Sequence, residues 1–316
     1  MSLAYLRRRT LLALCVLCAA YSVSFGILYV LPGDPVEIMA AGGDGTPADA
    51  GRVAELRHAY GFDRPLAAQY AQGALAALRG DLGRSVQSGR PVAALIGEAL
   101  PETLSLAAAA LVLGLGAGTA AALGATYTRR TWLRRTLSAL PAGGAALPPF
   151  LVGLVLLHVV SFRWGLIPAF GDGGIAVLVL PAVTLALPCA ALVAQVLAGD
   201  LERALGEPYT RTARAKGVSR VRVHLRHALP EALPPALALA GTLAGNTVAS
   251  ATVVETVFSR PGVGRLLTGA VHQQDIPVVQ GVVLVGAVVF VAAGLLVDVL
   301  GPLLDPRACG TGRAGA

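Results

Sequence analysis

Hydrophobic positions along this chain gather into six long runs. Residues 10–31, 103–127, 136–162, 173–199, 232–254 and 276–297 contain no Asp, Glu, Lys or Arg, and each run is 22 to 27 residues long. A helix rising 1.5 Å per residue needs roughly 20 residues to cross the hydrocarbon of a bilayer. A charge at the centre of such a helix costs about 2.5–3.5 kcal/mol on insertion scales, so its absence from all six runs is evidence in itself. The pattern predicts an all-α membrane protein with six transmembrane helices. The first run follows a basic start at Arg7–Arg9, but it is longer than a secretory core and no small-x-small site closes it, so it is read as an uncleaved anchor. A segment of mixed polarity, residues 32–100, separates the first two runs. Within it the spacing predicts short helices over 52–60 and 69–78, a flexible stretch at 42–45, a turn-rich stretch at Gly80-Asp-Leu-Gly-Arg-Ser85, and a helix over 91–100 leading into the second run.

Charge adds an orientation. The chain carries a net +7, and Lys216 is its one lysine among 25 basic residues. With the N-terminus inside, the inner segments hold 16 of these and the two short outer loops hold Arg163, Arg260 and Arg265. The other six arginines lie in the 32–100 segment with eight acids, where the positive-inside rule has little force. Both termini are therefore expected in the cytoplasm. The basic balance is explained by topology and anionic lipid, with no nucleic-acid partner. Cys15, Cys18, Cys189 and Cys309 lack the spacing of a zinc site or a disulfide framework and read as small apolar residues.

Between the fourth and fifth runs lies a polar island, Glu207-Pro-Tyr-Thr-Arg-Thr-Ala-Arg-Ala-Lys-Gly-Val-Ser-Arg-Val-Arg-Val-His-Leu-Arg-His-Ala-Leu-Pro230. Pro208 suits a first helical position, and residues 210–216 can follow as one short helix. Gly217 can take a positive φ and end it. Ser219 can cap a second helix through Leu229, which Pro230 closes. Charge alone leaves two readings, a solvated positive-inside loop or a docking element.

Catalytic chemistry finds no support. The lone lysine is followed by Gly217, so no Walker A loop exists, and there is no G-x-S-x-G elbow or H-E-x-x-H. His224 and His227 stand at i, i+3, but no Cys or carboxylate completes a metal site beside them. His158 in the third run and Asn246 in the fifth, the latter near Thr247, Ser250 and Thr252, are the polar groups that either line a pathway or bond between helices. Pro141, Pro148, Pro149, Pro181 and Pro188 admit the same two readings, a transport path or kinked packing. Gly114, Gly116, Gly118 and Gly124 in the second run allow backbones to approach closely.

At the polar island the chain resembles the permease subunits of ATP-binding-cassette importers. That family's cytoplasmic signature is Glu-Ala-Ala, three residues, Gly, nine residues, Ile-x-Leu-Pro. Here Arg211-Thr212-Ala213 takes the first position, Gly217 follows at the right spacing, and Leu229-Pro230 ends it, with Arg211 and His227 replacing Glu and Ile. Leu31-Pro-Gly-Asp-Pro35, Gly61-Phe-Asp-Arg-Pro-Leu66, Gly80-Asp-Leu-Gly-Arg-Ser85, Leu100-Pro-x-Thr-Leu104, Val254-Glu-Thr-Val-Phe258 with Pro261-Gly-Val-Gly264, Pro277-Val-Val-Gln-Gly281 and Leu304-Asp-Pro-Arg307 resemble the dipeptide/oligopeptide/nickel branch. Departures are Pro230-Glu231, where Arg-Asn is common, and Arg260, where an aromatic is common.

The resemblance implies a type I importer permease fold in the cytoplasmic membrane. It implies an anchor helix over 1–31, an extracytoplasmic loop over 32–100, a permease domain over 101–303 and a cytoplasmic tail over 304–316. It also implies two cytoplasmic ATPase subunits, a second homologous permease and an extracytoplasmic solute-binding protein. Arg211, Thr212, Ala213, Arg214, Lys216, Gly217, Leu229 and Pro230 become the ATPase-docking loop, while His158 and Asn246 become candidates for the path. No cofactor, metal or bond-breaking step is expected in this chain. Peptides or a similar small solute lead as cargo, with a nickel or metal chelate of the same branch as alternative. An ion-coupled carrier is the reading from another class, and it leaves the polar island unused.

Overall fold

The computed structural model describes residues 3–30, 34–41, 49–59, 62–168, 170–171 and 174–304. The flexible stretch expected at 42–45, residues 31–33 and 61 of two motifs, and the tail with Arg307, Cys309 and Arg313 lie outside the described residues. Every named element is helical, and the chain divides into two units, 1–103 with 260–291 and 104–259 with 292–316.

The first unit contains α1 (Leu3–Val30), α2 (Pro35–Ala41), α3 (Ala50–Ala59), α4 (Leu66–Leu78), the opening turns of α5 (Val92–Tyr127), α12 (Val263–His272) and the start of α13 (Ile276–Leu304). The helices expected at 52–60 and 69–78 are α3 and α4. The helix expected over 91–100 and leading into the second run is present as the opening turns of α5, from Val92, which runs on through Pro101. The sequence reading missed α12. α1 meets α4 through Tyr21, Phe25 and Tyr70, whose ring centroids lie 5.1 to 6.2 Å apart. Two apolar clusters hold the remainder. Val36 and Met39 pack with Ile276, and Val92 and Ile96 pack with Ala270, Val278 and Val282.

The turn-rich stretch bends through positive φ at Gly80, Gly83 and Gly89. A buried carboxylate secures it. Asp275 is 2% exposed and accepts hydrogen bonds from the Ser85 hydroxyl, the Val86 amide at 3.2 Å and the Gln87 amide at 3.4 Å. The Gln87 side chain donates to the Gln273 carbonyl at 3.0 Å. Arg260, unusual in sequence, is buried and ion-paired with Glu102.

The second unit is built round α8 (Ile175–Gly206), which packs on α6 (Thr131–Ala146), α7 (Pro149–Leu156) and α11 (Leu229–Val257). α5 interlocks with α8 through two of its glycines. A Cβ on Gly118 would stand 2.7 Å from the Ala190 carbonyl, and one on Gly114 would stand 2.7 Å from Cys189. The expectation of close backbone approach holds for these two, whereas a Cβ on Gly116 would meet nothing within 4 Å. Cys189 is an apolar packing residue here, as its position suggested.

The third apolar run is not one helix. α6 ends at Ala146, Leu147 and Pro148 are extended, and α7 restarts at Pro149 and passes into a π-helical segment, Leu157–Arg163. Pro148 and Pro149 lack amide donors, and a residue before proline is pushed out of the α region, so the helix breaks at the first of the pair. α8 continues through Pro181 and Pro188. In α11 the axis turns by 46° between Arg220–Ala236 and Ala238–Val257, just after Pro234 and Pro235. By length and apolar composition, four described helical stretches can each cross a membrane: Arg9–Ile27, Val92–Tyr127, Ile175–Gly206 and Ile276–Leu295. The bent pair within 220–257 makes up to five, and Pro149–Arg163 is a shorter apolar helix.

Candidate coupling element between two long helices

α8 leaves the apolar region with Glu207 extended at φ −66°, ψ 150°, and Pro208 begins α9 (Pro208–Ala215). Proline is pre-organised for this first turn and its missing amide has no partner to lose. Thr210 faces inward and is fully buried, its hydroxyl lying 2.9 Å from the Leu205 carbonyl and 2.8 Å from that of Glu207. This fixes the angle between the two helices. Tyr209 stays 41% exposed. Its phenol is shifted up from the ordinary tyrosine range by partial burial, then by Glu231 and Glu207.

The end of α9 is a Schellman turn. The Val218 amide donates to the Ala213 carbonyl at 3.1 Å and the Gly217 amide to that of Arg214 at 3.0 Å, with Gly217 at φ 78°. The positive φ expected at Gly217, ending the helix, is thus present. Ser219 then occupies the cap position of α10 (Arg220–Arg222), but its side chain makes no capping bond.

The expected second helix ending at Pro230 does not form as such. α10 lasts three residues, a π-helical segment covers Val223–Ala228, and α11 starts at Leu229 with Pro230 in its first turn. Pro230 therefore opens a helix and does not close one. A π turn is wider than an α turn, which relieves the clash between the proline ring and the carbonyl four residues back.

One side of this element is an anchor. Ala228, Ala232 and Ala236 pack with Ala122 of α5 and with Leu197, Leu201 and Ala204 of α8. Val223 is also fully buried. His224 is 3% exposed, with Nδ1 3.0 Å from the Arg220 carbonyl, while its buried Nε2 has no hydrogen-bond partner among the described residues. A carbonyl only accepts, so Nδ1 is the donor of this bond. Tyr127, the last residue of α5, meets the His224 ring edge-on, with centroids 5.3 Å apart at 81°. The Arg220 guanidinium lies 4.8 Å from the centre of the same tyrosine ring.

The other side is open. Arg211, Thr212, Arg214, Lys216 and Gly217 are exposed, and so are Arg222 and Arg226. Val221 and Leu225 add exposed apolar surface at 50% and 48%. Ala213 and Leu229 are half-buried and Pro230 is exposed. An exposed basic and apolar face on a buried foot can receive a protein surface. His227 is half-buried while His224 is buried, so the two histidines do not share one environment.

The two pathway candidates stand apart from this element. His158 is exposed within the Leu157–Arg163 π-helical segment, and Asn246 is exposed on α11. Next to it Thr247 is buried and returns its hydroxyl to the Leu243 carbonyl at 2.7 Å. Sequence reasoning missed Tyr127, although a tyrosine closing an apolar run before Arg129 and Arg130 is a recognisable interfacial signal. It also stopped the fifth run one residue short of Glu255, which is fully buried.

Comparison with known proteins agrees with this anatomy. Residues 110–308 match the family described as binding-protein-dependent transport system inner membrane component. Residues 2–107 match its companion, the N-terminal membrane component of binding-protein-dependent transport systems. The chain is 32% identical over 311 residues to a probable peptide ABC transporter permease protein of Sinorhizobium fredii, covering 96% of this chain and 98% of that one. It is 35% identical over 282 residues to the glutathione transport system permease protein GsiC of Escherichia coli O6:H1, covering 89% and 91%. A crystal structure of an amino acid ABC transporter with histidines superposes with a TM-score of 0.51 at 18% identity, covering 67% of this chain and 94% of that one, so the fold is shared. On the strength of these matches along both parts of its length, the chain belongs to the family of binding-protein-dependent transport system inner-membrane components, the permease subunits of ATP-binding-cassette importers.

Proposed function

We propose that this chain is the membrane permease subunit of an ATP-driven, binding-protein-dependent importer for peptides or a similar small solute. The observation that carries the reading is the element from α9 to the start of α11, capped at Gly217, seated on the ends of α5 and α8, and open on its basic face. Arg211, Thr212, Ala213, Arg214, Lys216, Gly217, Leu229 and Pro230 form the docking loop for a cytoplasmic ATPase subunit. Two such subunits serve a pair of permeases, this chain and a homologous one, and a solute-binding protein delivers cargo to the outer face. Peptide cargo is supported by the relatives, which are a probable peptide permease and a glutathione permease.

The polypeptide crosses the cytoplasmic membrane six times, through α1, α5, the broken α6–α7 stretch, α8, α11 and α13, with both termini inside. The arginine distribution supports that orientation. Residues 1–31 serve as anchor, 32–100 as outer loop, 101–303 as permease domain and 304–316 as tail. ATP binding draws the docking loops together and tilts the helices on which they sit, so the cavity opens alternately to each side. His158 and Asn246 line that cavity, and the chain itself needs no cofactor.

Copurification tests the assignment. Detergent-solubilised wild-type protein is expected to retain its ATPase subunits, and deletion of residues 211–229 is expected to lose them. Normal assembly by the deletion variant would refute the docking loop. Solute uptake by this chain alone on an ion gradient would refute the ATP-driven reading.

A further inference from the structure

The docking element touches the membrane helices through apolar packing almost everywhere, and that packing is built from small side chains such as Ala122, Ala204, Ala228 and Ala232. Apart from the Thr210 hydroxyl on the Leu205 carbonyl of α8, one contact differs in kind. Tyr127 closes α5, its ring receives the edge of His224 from the π-helical segment at 5.3 Å, and the Arg220 guanidinium from α10 lies 4.8 Å from its centre. His224 in turn bonds the Arg220 carbonyl at 3.0 Å, so the three residues close one circuit.

Aromatic and cation–ring contacts have preferred geometries, unlike alanine packing, and so resist sliding. The circuit lies just past the Gly217 turn, on the segment that a docked subunit would move, and it grips the last residue of a 36-residue helix. The buried Nε2 of His224, which has no hydrogen-bond partner among the described residues, is a second sign. A leucine would fill the same space with no orphaned nitrogen, so stability alone does not select histidine at this position.

We infer that the Tyr127–Arg220–His224 circuit is the link that passes movement of the docking element to α5, with Tyr127 as a positioning residue for coupling. The inference rests on the docking function proposed above. It assigns to Tyr127 a role apart from holding the ATPase subunit, because Tyr127 belongs to α5 and not to the docking loop.

The test uses the complete complex in vesicles, with the binding protein as isolated from its cells, carrying whatever solute it holds. Three quantities are read: ATPase subunits retained, basal ATP hydrolysis, and the factor by which the loaded binding protein stimulates hydrolysis. Tyr127→Leu keeps apolar bulk but removes the ring face, and it is expected to keep the first two while the stimulation factor falls on the order of fivefold, the lower end of typical coupling between sites. Tyr127→Phe keeps the ring and is expected to restore wild-type stimulation. Unchanged stimulation in Tyr127→Leu overturns the inference, and so does loss of stimulation in Tyr127→Phe. Loss of the ATPase subunits from Tyr127→Leu also overturns it, since the residue would then serve attachment. Absence of those subunits from the wild-type complex would instead refute the docking function itself.

Discussion

Substitution at Gly217 separates backbone conformation from contact in a way few positions allow. Its φ is 78°, and a Cβ built there would meet nothing within 4 Å. Within this chain, any penalty for a larger residue is therefore conformational. An L-residue in the left-handed region costs roughly 1–2 kcal/mol, asparagine less, while a β-branched residue is an outlier there and proline is excluded by its φ near −65°. If the left-handed turn sets the direction of the segment from Ser219 to Ala228, Gly217→Ala weakens binding of the ATPase subunit by about 5- to 30-fold, the factor that one to two kcal/mol represents. Gly217→Asn should lie close to wild type, with Gly217→Val below Ala and Gly217→Pro without measurable binding. Titration of purified ATPase subunit onto the permease in detergent or nanodiscs reads the series directly. Equal affinities for the Gly, Ala and Val proteins would show that the Schellman turn does not orient the docking face, and the reasoning would fail at its first step.

Two other sites yield sharp comparisons. Gly118→Ala is expected to lower the melting temperature of the solubilised protein, because overpacking against the Ala190 carbonyl costs about 1–3 kcal/mol. Gly116→Ala, which meets nothing within 4 Å, should not lower it, and equal melting of the two would refute the close α5–α8 contact. Asp275→Ala removes the acceptor for the Ser85 hydroxyl and for the Val86 and Gln87 amides. Protease cleavage within residues 79–91 should accelerate in that variant, less so in Asp275→Asn, and an unchanged rate would argue against the clamp.

Several of these features were legible in the sequence because they depend on neighbours along the chain. Absence of charge located α8 and α13, and Pro208 with Gly217 marked the bounds of α9. Where a local signal competes with its surroundings, the reading failed. The run 136–162 has no charge to interrupt it, yet Pro148 breaks the helix. Pro230 was read as a stop, but the π-helical segment before it makes room for a start. Long-range partners were invisible. Ser85 and Asp275 are 190 residues apart, and each lies in or beside a motif that family resemblance had already marked without saying that the two meet. Tyr127 and His224 present the same difficulty, since nothing in either one's neighbourhood names the other.

The exposed face of α11 demands an occupant that one chain does not supply. Thr242, Asn246 and Thr256 are exposed along a helix whose two halves together are apolar enough to cross a membrane. The Thr256 hydroxyl turns back to the Thr252 carbonyl at 2.9 Å, a common way for a helix to hide a hydroxyl. A carboxamide can return only part of its bonding capacity to its own helix, and an amide group left without a partner in hydrocarbon costs several kcal/mol. On the function proposed above, Asn246 faces a second permease chain or water in the pathway. In a background with Cys15, Cys18, Cys189 and Cys309 replaced by alanine, Asn246→Cys is expected either to cross-link to a partner permease or to react with a water-soluble maleimide. Val23→Cys, on the exposed apolar surface of α1, should do neither. If Asn246→Cys proved as inert as Val23→Cys, α11 would present its amide to lipid, and Asn246 would lose its place in the path.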